Sequence, residues 1–85
     1  MKYSILYKRS AAEELLQLPV TVAFKVRAAI NKLSENPRPH GCKKLKGSDS
    51  DYRIRLGNYR IIYTIADNVL IITVIKIAHR KDVYR

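Results

Sequence analysis

Alternating polar and apolar residues at the start of the chain predict a first β-strand, and a helical signal follows it. Between Lys2 and Lys8 every second residue is aromatic or β-branched, namely Tyr3, Ile5 and Tyr7. Ser10 and Glu13 then have the spacing of a capping box, in which each side chain bonds a free amide of the first helical turn. We therefore expect a strand over residues 2–8 and a short helix that runs to about Leu18.

A second helix is predicted between two prolines. Pro19 ends the first helix and can open the next one, which should end by Asn36-Pro37. Apolar residues recur within it at intervals of three and four, as on the buried face of an amphipathic helix: Ala23, Val26, Ile30 and Leu33. Residues 37–50 show neither helical nor strand periodicity, so we expect a loop there.

The second half of the chain predicts a three-stranded meander. Residues 51–56 alternate, Gly57-Asn58 forms a two-residue hairpin turn, and residues 59–66 form the return strand. Asp67-Asn68 makes the next turn, and residues 69–77 follow as a nearly continuous apolar strand. The predicted fold is α+β in the order β-α-α-β-β-β, with two N-terminal helices packed on one face of a small, mainly antiparallel four-stranded sheet.

The hairpin turn fixes the register of the middle strands. Leu56 pairs with Tyr59, so Arg55 lies directly opposite Arg60. Both arginines point to the face of the sheet that the helices leave open. On this open face Arg53 lies opposite Ile62. Three residues of the last strand lie beside Arg60 and Ile62 there, namely Ile71, Thr73 and Ile75. The other face is covered by the helices and carries Tyr52, Ile54, Leu56, Tyr59, Ile61 and Tyr63.

The composition predicts one small domain with a polyanionic partner. Eighty-five residues, 47% of them hydrophobic, suffice for one domain over residues 1–85 with one modest core. Lys and Arg number 17 against 7 Asp and Glu, and a net charge of +10 favours nucleic acid as the partner. Positive charge is densest in residues 38–60 and again in residues 76–85. These two segments would form one basic site if they meet in space.

The sequence offers little for building a metal site, a disulfide or a membrane anchor. Cys42 is the single cysteine, and two His with seven scattered acidic residues do not readily assemble a zinc or two-metal site. The N-terminus lacks the long apolar segment of a signal peptide, and no stretch approaches 18 apolar residues. We expect no metal, no cofactor, no membrane contact and a cytoplasmic location.

The opposed arginines predict phosphate binding. Arg55 and Arg60 repel one another at a cost of some tenths to about 1 kcal/mol. Side chains that splay into water would be the plainer explanation of one isolated pair. Arg53 on the same face, with His79 and Arg80 at the end of the adjacent strand, makes phosphate binding the better explanation, because guanidinium groups match phosphate oxygens bidentately.

Two further features are less specific when each is taken alone. The lysines of the loop are either solvated surface or contacts to backbone phosphates: Lys43, Lys44 and Lys46. Tyr84 can stack on an unpaired base or take part in proton transfer, or it can simply pack loosely on the surface as a tail residue.

Two motifs give the chain a resemblance to a known family. The segment DYRIRLGNYRIIYTI runs from Asp51 to Ile65, after KKLKG at residues 43–47, and IAHRKDVYR closes the chain from Ile77 to Arg85. In this order, after a strand and a helical hairpin, the segments resemble the RelE branch of the RelE/ParE toxins of type II toxin–antitoxin systems. The resemblance covers the whole chain.

The resemblance implies an mRNA interferase, a metal-independent endoribonuclease that enters the ribosomal A site, cuts mRNA there and inhibits translation. The catalytic residues that it implies are Arg55, Arg60, Arg80 and Tyr84. The residues that it and the charge pattern assign to RNA or ribosome binding are Lys43, Lys44, Lys46, Arg53, His79, Lys81 and Arg85. Some relatives have lysines where Arg53 and Arg55 stand, which leaves the donor and acceptor of the proton open.

The resemblance also implies a protein partner. Some relatives carry a C-terminal helix that this chain lacks, so we expect Ile62, Ile71 and Ile75 to form an exposed apolar patch rimmed by positive charge. A small, acidic, RelB-like antitoxin that folds on binding would cover this patch and give a hetero-oligomeric complex.

Two alternatives remain open at the level of sequence. A ParE-like toxin of the same fold would bind and poison DNA gyrase without acting as a nuclease. ParE-like chains generally lack the combination of Arg55, Arg60, Arg80 and Tyr84, which favours the RelE interpretation. A simple nucleic-acid-binding module fits the charge but does not require Tyr84.

Overall fold

Two helices and five strands follow one another along residues 2–81, the part of the chain that this computed structural model describes. Both predicted helices are present, and the described residues form one strand more than predicted. In chain order the elements are β1 Ser4–Tyr7, α1 Arg9–Leu16, α2 Val20–Leu33, β2 Lys43–Lys44, β3 Asp51–Leu56, β4 Tyr59–Ala66 and β5 Ile71–His79.

The strands form one mixed sheet in the order β1-β5-β4-β3-β2, which corrects the predicted four-stranded sheet. β1 pairs in parallel with β5, and the other neighbours are antiparallel. The additional strand, β2, lies in the segment predicted to be a loop, where Lys43 pairs with Arg53 and Lys44 with Tyr52. A two-residue strand is too short to show an alternating pattern, so the sequence carries no periodic signal for it.

The register predicted for the β3–β4 hairpin is confirmed. Leu56 pairs with Tyr59, Arg55 with Arg60 and, farther along, Arg53 with Ile62. The turn has a positive φ of 59° at Gly57, the first of its two central residues. That backbone conformation suits glycine and matches the twist of the two strands, which is why the turn sets the register.

The register predicted between β4 and β5 is wrong. The turn spans four residues, 67–70, with a positive φ of 54° at Leu70, and β5 begins at Ile71. The pairing shifts again by one residue between Ile62 and Tyr63, which marks a β-bulge. As a result Arg60 lies opposite Ala78, Ile62 opposite Lys76, Thr64 opposite Thr73 and Ala66 opposite Ile71, while Ile75 falls at the bulge.

The first helix begins differently from the prediction. Its N-cap is Lys8, and no side chain caps it, so Ser10 lies inside the helix and forms no capping box. Glu13 instead lies 3.5 Å from Arg9, one turn back. Its neighbour Glu14 accepts a hydrogen bond of 3.0 Å from the backbone amide of Ile77, which β1 is too short to reach. Glu13 therefore pairs with Arg9 and Glu14 accepts from the backbone of β5, and neither residue caps the start of the helix.

The core lies between the helices and one face of the sheet, as predicted. The buried apolar side chains are Ala11, Leu15, Val26, Ile30, Leu33, Ile54, Ile61, Tyr63, Ile65, Ile72, Val74 and Ile77. Tyr63 is the largest fully buried side chain, and its hydroxyl donates a hydrogen bond of 2.7 Å to the carbonyl of Pro37. Burial raises the pKa of the Tyr63 phenol above its usual range, so the hydroxyl keeps its proton and this hydrogen bond.

A polar cluster, which we call the Arg38 clasp, ties the loop after α2 to the sheet. The Arg38 guanidinium donates to both carboxylate oxygens of Asp67, at 2.8 and 3.4 Å, and to the Tyr52 hydroxyl at 3.2 Å. The Tyr3 hydroxyl donates to the same carboxylate. Arg38 and the Tyr3 hydroxyl together hold the pKa of Asp67 below its usual range. The clasp thereby connects the N-terminus, the loop and the β4–β5 turn.

We predict that Asp67→Asn lowers the thermal midpoint at neutral pH and loses that effect in acid. Because the folded state depresses the pKa of Asp67, its carboxylate contributes stability above the pKa of the unfolded chain, about 3.9, and loses it as the pH falls through the folded-state value. Thermal unfolding of both proteins from pH 7 downwards should show two curves that begin to converge near about pH 4 and meet once the pH is below the folded-state pKa of Asp67.

The exposed Asp49 provides the matched control. Asp49→Asn should follow the wild-type midpoint across the whole range. A constant difference between wild type and Asp67→Asn at all pH values would contradict an ionic role for the clasp.

Candidate nucleic-acid interface

The open face of the sheet is the face that turns away from the helices. It carries a row of basic residues on β2, β3 and β4, and we call this part of it the basic face. Arg55 and Arg60 are directly paired across β3 and β4, and Arg53 and Lys43 are paired across β3 and β2. Because side chains alternate along a strand, Arg53 and Arg55 lie on the same side as Arg60 and Lys43. Four cations from three neighbouring strands therefore share one surface, which suits a ligand with several negative charges.

The arginines of this face differ in burial and in how firmly they are held. Arg53 is only 6% exposed, whereas Arg55 is exposed. Arg60 is half-buried, and its Nη1 donates to the carbonyls of Tyr59 at 3.2 Å and Gly57 at 3.5 Å. These bonds hold the Arg60 guanidinium beside the hairpin turn. A guanidinium that is already positioned loses less freedom when it binds a phosphate.

The start of the C-terminal segment is fixed to the same end of the sheet. The backbone amide of Arg80 donates to the carbonyl of Asn58 at 2.7 Å. Arg80 is the first residue after β5, and this hydrogen bond places it beside the β3–β4 turn. Within the described residues, the start of the second basic segment therefore lies beside the hairpin of the first. The exposed Lys81 comes next, and its amide donates to Nδ1 of His79 at 3.3 Å.

His79 lies on a different side from the predicted one. It pairs with Tyr59. Tyr59 precedes Arg60 in the strand and therefore points to the helix side of the sheet, and its partner His79 points to the same side. The two rings meet edge to face with centroids 5.5 Å apart. Arg60 pairs with Ala78, so the side chains of His79 and Arg60 leave opposite faces of the sheet.

The loop lysines are exposed, as a role in phosphate contact requires. Lys43 lies on the basic face beside Arg53. Lys44 is the next residue of β2, so its side chain points to the opposite face of the sheet, and Lys46 lies in the loop that follows. Tyr84 and Arg85, which the sequence assigned to the site, lie outside the described residues.

The predicted apolar patch is less exposed than expected. Ile62, Ile71 and Ile75 are all half-buried, and Ile71 lies opposite Ala66, at the far end of β4 from Arg60. Leu6, which sequence reasoning did not single out, is 51% exposed and pairs with Thr73, on the same side as Ile71. The open face therefore has a basic part at β2–β3–β4 and an apolar part at β1–β5.

A second apolar surface lies on the helical hairpin and was not predicted. Its side chains are among the most exposed large hydrophobic residues, with Leu16 at 78%, Val20 at 85% and Phe24 at 76%. Leu16 ends α1, whereas Val20 and Phe24 lie four residues apart at the start of α2 and therefore on one side of that helix. Lys76, opposite Ile62, was also missed, because the bulge that places it there has no sequence signal.

Among residues 2–81, no three His, Cys, Asp or Glu side chains lie close enough together to hold a metal ion. The helices of this same part of the chain are too short to cross a membrane.

Comparisons with known proteins give a consistent result. A sequence model described as the ParE toxin of type II toxin–antitoxin systems, parDE, matches residues 5–84. The RelE1 protein of Methanocaldococcus jannaschii is 33% identical over 88 residues, which cover 100% of this chain and 98% of that protein. Toxin RelG of Mycobacterium tuberculosis is 29% identical over 86 residues, which cover 100% and 99% of the two chains.

Solved structures agree in fold over nearly the whole chain. In the RelE–RelB complex from Pyrococcus horikoshii, the matching chain has a TM-score of 0.84 at 26% identity, with 96% of this chain and 99% of that chain covered. A mutant of the Escherichia coli toxin RelE in its free state has a TM-score of 0.83 at 26% identity, with 98% and 88% covered.

We predict that Arg55→Gln stabilises the fold while it weakens RNA binding. The substitution removes the repulsion between two directly opposed cations, so the thermal midpoint should rise by about 2–5 °C in low salt. The gain should shrink in high salt, because salt screens the repulsion. The affinity for a labelled single-stranded RNA, measured by fluorescence anisotropy, should fall.

Arg27→Gln on the exposed side of α2 removes the same charge from a site away from the basic face. It should change neither quantity by a comparable amount. A lower midpoint for Arg55→Gln in low salt would contradict the repulsion between the two arginines.

Proposed function

The chain belongs to the ParE toxin family of type II toxin–antitoxin systems and is a RelE-family toxin, and from this membership we propose that it is a ribosome-dependent mRNA interferase. It cuts mRNA in the ribosomal A site as a metal-independent endoribonuclease. The observation that carries the proposal is the direct pairing of Arg55 with Arg60 on the basic face, beside the start of the C-terminal segment. Two opposed cations destabilise the free protein and are explained by a phosphate that binds between them.

RNA supplies its own nucleophile in the proposed reaction. The 2′-oxygen next to the scissile phosphate attacks phosphorus, the bond from phosphorus to the 5′-oxygen breaks, and a 2′,3′-cyclic phosphate and a 5′-hydroxyl result. The protein needs to align these groups, accept the proton of the 2′-hydroxyl, and stabilise the negative charge that develops on the phosphate oxygens. Arg55 and Arg60 face the position where that charge develops.

The C-terminal residues complete the proposed site. Tyr84 accepts the 2′-proton or stacks on a base. A free tyrosine has a pKa of about 10, so the role of base requires cations that favour the phenolate. Arg80 stabilises the charge that develops around the leaving 5′-oxygen. A guanidinium is a reluctant proton donor, so Arg80 acts mainly by its charge, and water supplies the proton of the 5′-hydroxyl.

The remaining cations bind the RNA and the ribosome without contributing to the chemistry. Exposed lysines contact phosphates and supply affinity that falls with rising salt. The residues that we assign to this role are Lys43, Lys44, Lys46, Arg53, His79, Lys81 and Arg85. The side chain of His79 leaves the sheet on the helix side, so it would contact a different part of the ligand from Arg60.

The second candidate function is a gyrase poison of the ParE type. It is favoured by the match of residues 5–84 to a model described as the ParE toxin. A DNA supercoiling assay with purified gyrase separates the two functions, because an mRNA interferase leaves supercoiling unchanged while mRNA 5′ ends accumulate on translating ribosomes.

We also propose an acidic antitoxin as the partner of this chain. RelE of Pyrococcus horikoshii and RelE of E. coli are found in complex with RelB. The apolar part of the open face, near Leu6, Ile62, Ile71 and Ile75, offers a surface for apolar side chains of such a partner. Its carboxylates would lie at the neighbouring arginines, which suits a chain with a net charge of +10. The partner folds as it binds.

We predict that Arg80→Ala lowers the rate of mRNA cleavage at least about a hundredfold without unfolding the protein. Arg80 is exposed, so its side chain contributes little to the core. The measurement is the mapping of mRNA 5′ ends after incubation with translating ribosomes, beside a thermal melt. Tyr84→Phe in the same assay separates the hydroxyl from the ring, and full activity would make Tyr84 a stacking platform only.

Lys25→Ala provides the control, because it removes an exposed cation from α2, away from the basic face. It should cleave at the wild-type rate. Loss of activity in Arg80→Ala together with a lowered thermal midpoint would contradict the assignment, and so would cleavage of an RNA that carries a 2′-deoxyribose at the scissile position.

We predict that Ile71→Asp weakens the complex with the antitoxin at least about tenfold, because it places a charge in the apolar part of the open face. The affinity is measured in a salt titration on the copurified pair. Rising salt should weaken the wild-type complex only in part, since salt screens the ion pairs and leaves the apolar contacts intact.

Val20→Asp is the matched variant on the exposed surface of the helical hairpin. Should Val20→Asp weaken the complex while Ile71→Asp has no effect, the antitoxin covers the hairpin and the open face is not its docking surface. A thermal melt of each free variant shows whether the fold is retained.

A further inference from the structure

A cleft of about 670 Å³ opens between the end of α2, the loop that follows it and the outer edge of β3. Its floor is apolar and consists of Ala29, Leu33 and Ile54, with Pro39 at one side. Leu33 and Ile54 belong to the core, so the floor is a firm surface. The volume lies within the range of pockets that hold small organic ligands.

The rim of the cleft is cationic. Five basic side chains line it: Lys32, His40, Lys43, Arg53 and Arg55. Glu35 is the one acidic residue among the lining residues, and its carboxylate lies 3.6 Å from the ammonium group of Lys2. A ligand that fits an apolar floor below a cationic rim has a flat apolar body and a negative charge.

The edge of β3 adds a pair of backbone groups that can recognise a polar ring edge. β2 pairs only with Tyr52 and Arg53, so it ends before Arg55. The amide of Leu45 donates to the carbonyl of Asp51, which shows that Asp51 points its backbone groups away from β4. Backbone groups alternate along a strand, so those of Arg55 point outward as well, into the cleft. One amide donor and one carbonyl acceptor side by side match the edge of a nucleobase.

We propose that this cleft is a nucleotide subsite, which binds one unstacked nucleotide of a single-stranded RNA. The base lies on Ala29, Leu33 and Ile54, and its phosphate lies at Lys32 and Lys43. Arg55 lines this cleft and also pairs with Arg60, so the subsite adjoins the phosphate position proposed for cleavage. The inference rests on the proposed function, since it assigns to the RNA substrate a contact beyond the reacting phosphate.

The test is binding of adenosine 5′-monophosphate to the purified chain, followed by amide chemical shifts. The shifts should cluster at residues 29–33 and 40–43 and at Ile54. Ribose 5-phosphate, which lacks the base, should bind at least about fivefold more weakly, because it cannot use the apolar floor. Equal affinities for the two probes, or shifts confined to the β3–β4 turn, would overturn the subsite.

Two adjacent alanines on α2 give a matched pair of variants. Ala29→Leu fills the floor of the cleft, whereas Ala28→Leu adds the same atoms on the exposed side of the helix. We expect at least about fivefold weaker binding of adenosine 5′-monophosphate to Ala29→Leu and wild-type binding to Ala28→Leu. Equal binding to both variants would overturn the proposal. Lys32→Ala against Lys25→Ala repeats the comparison for charge, and a thermal melt confirms that each variant is folded.

The two proposals fail in different ways. On translating ribosomes Ala29→Leu should raise the KM for mRNA cleavage and leave kcat near the wild-type value, because the reacting groups are untouched. If the wild type does not cut mRNA, the proposed function fails, whereas the titration with the mononucleotide still decides whether the cleft binds a nucleotide. If the mononucleotide binds in the cleft but Ala29→Leu cuts mRNA with unchanged KM and kcat, the assignment of the cleft to the substrate is wrong.

Discussion

The alternation of side chains along β3 and β4 is the constraint on which the rest of this structure depends. The same two strands bury Ile61 and Tyr63 on one face and present Arg55 and Arg60 on the other. A slip of one residue would exchange the faces and bring guanidinium groups into the core. The hairpin turn at Gly57 prevents that slip, so one glycine conformation determines both the hydrophobic core and the basic face.

The parts of the fold that the sequence predicted correctly are those with short-range causes. The register of Arg55 against Arg60 follows from a two-residue turn, and the buried face of α2 follows from the spacing of Val26, Ile30 and Leu33. The wrong predictions concern longer-range effects. The register between β4 and β5 depends on a bulge at Ile62 and Tyr63 and on a left-handed residue, Leu70, which glycine or asparagine would have signalled more clearly.

The same distinction applies to the site. Arg53, Arg55 and Arg60 could be placed together from the pattern alone, because one hairpin carries all three. The cleft could not be found that way, since its lining comes from α2, the loop after it and β3, which are far apart in sequence. Ser10 and Glu13 show the opposite error. Their spacing fits a capping box, but Lys8 is the N-cap and Glu13 lies beside Arg9. The spacing of two residues in the sequence predicts a helix cap reliably only where no other residue of the fold competes for their side chains.

The position of β5 has a consequence for the synthesis of this protein. β5 lies between β1 and β4, so the last strand among the described residues is an interior strand of the sheet. Until residues 71–79 have left the ribosome, β1 has no neighbour to pair with, and the helices have only part of their packing surface. Contacts between the two ends of a chain form late and slowly, so an incomplete chain cannot assemble the sheet. The sheet of this toxin therefore forms as a unit only once nearly all of the described residues have been synthesised.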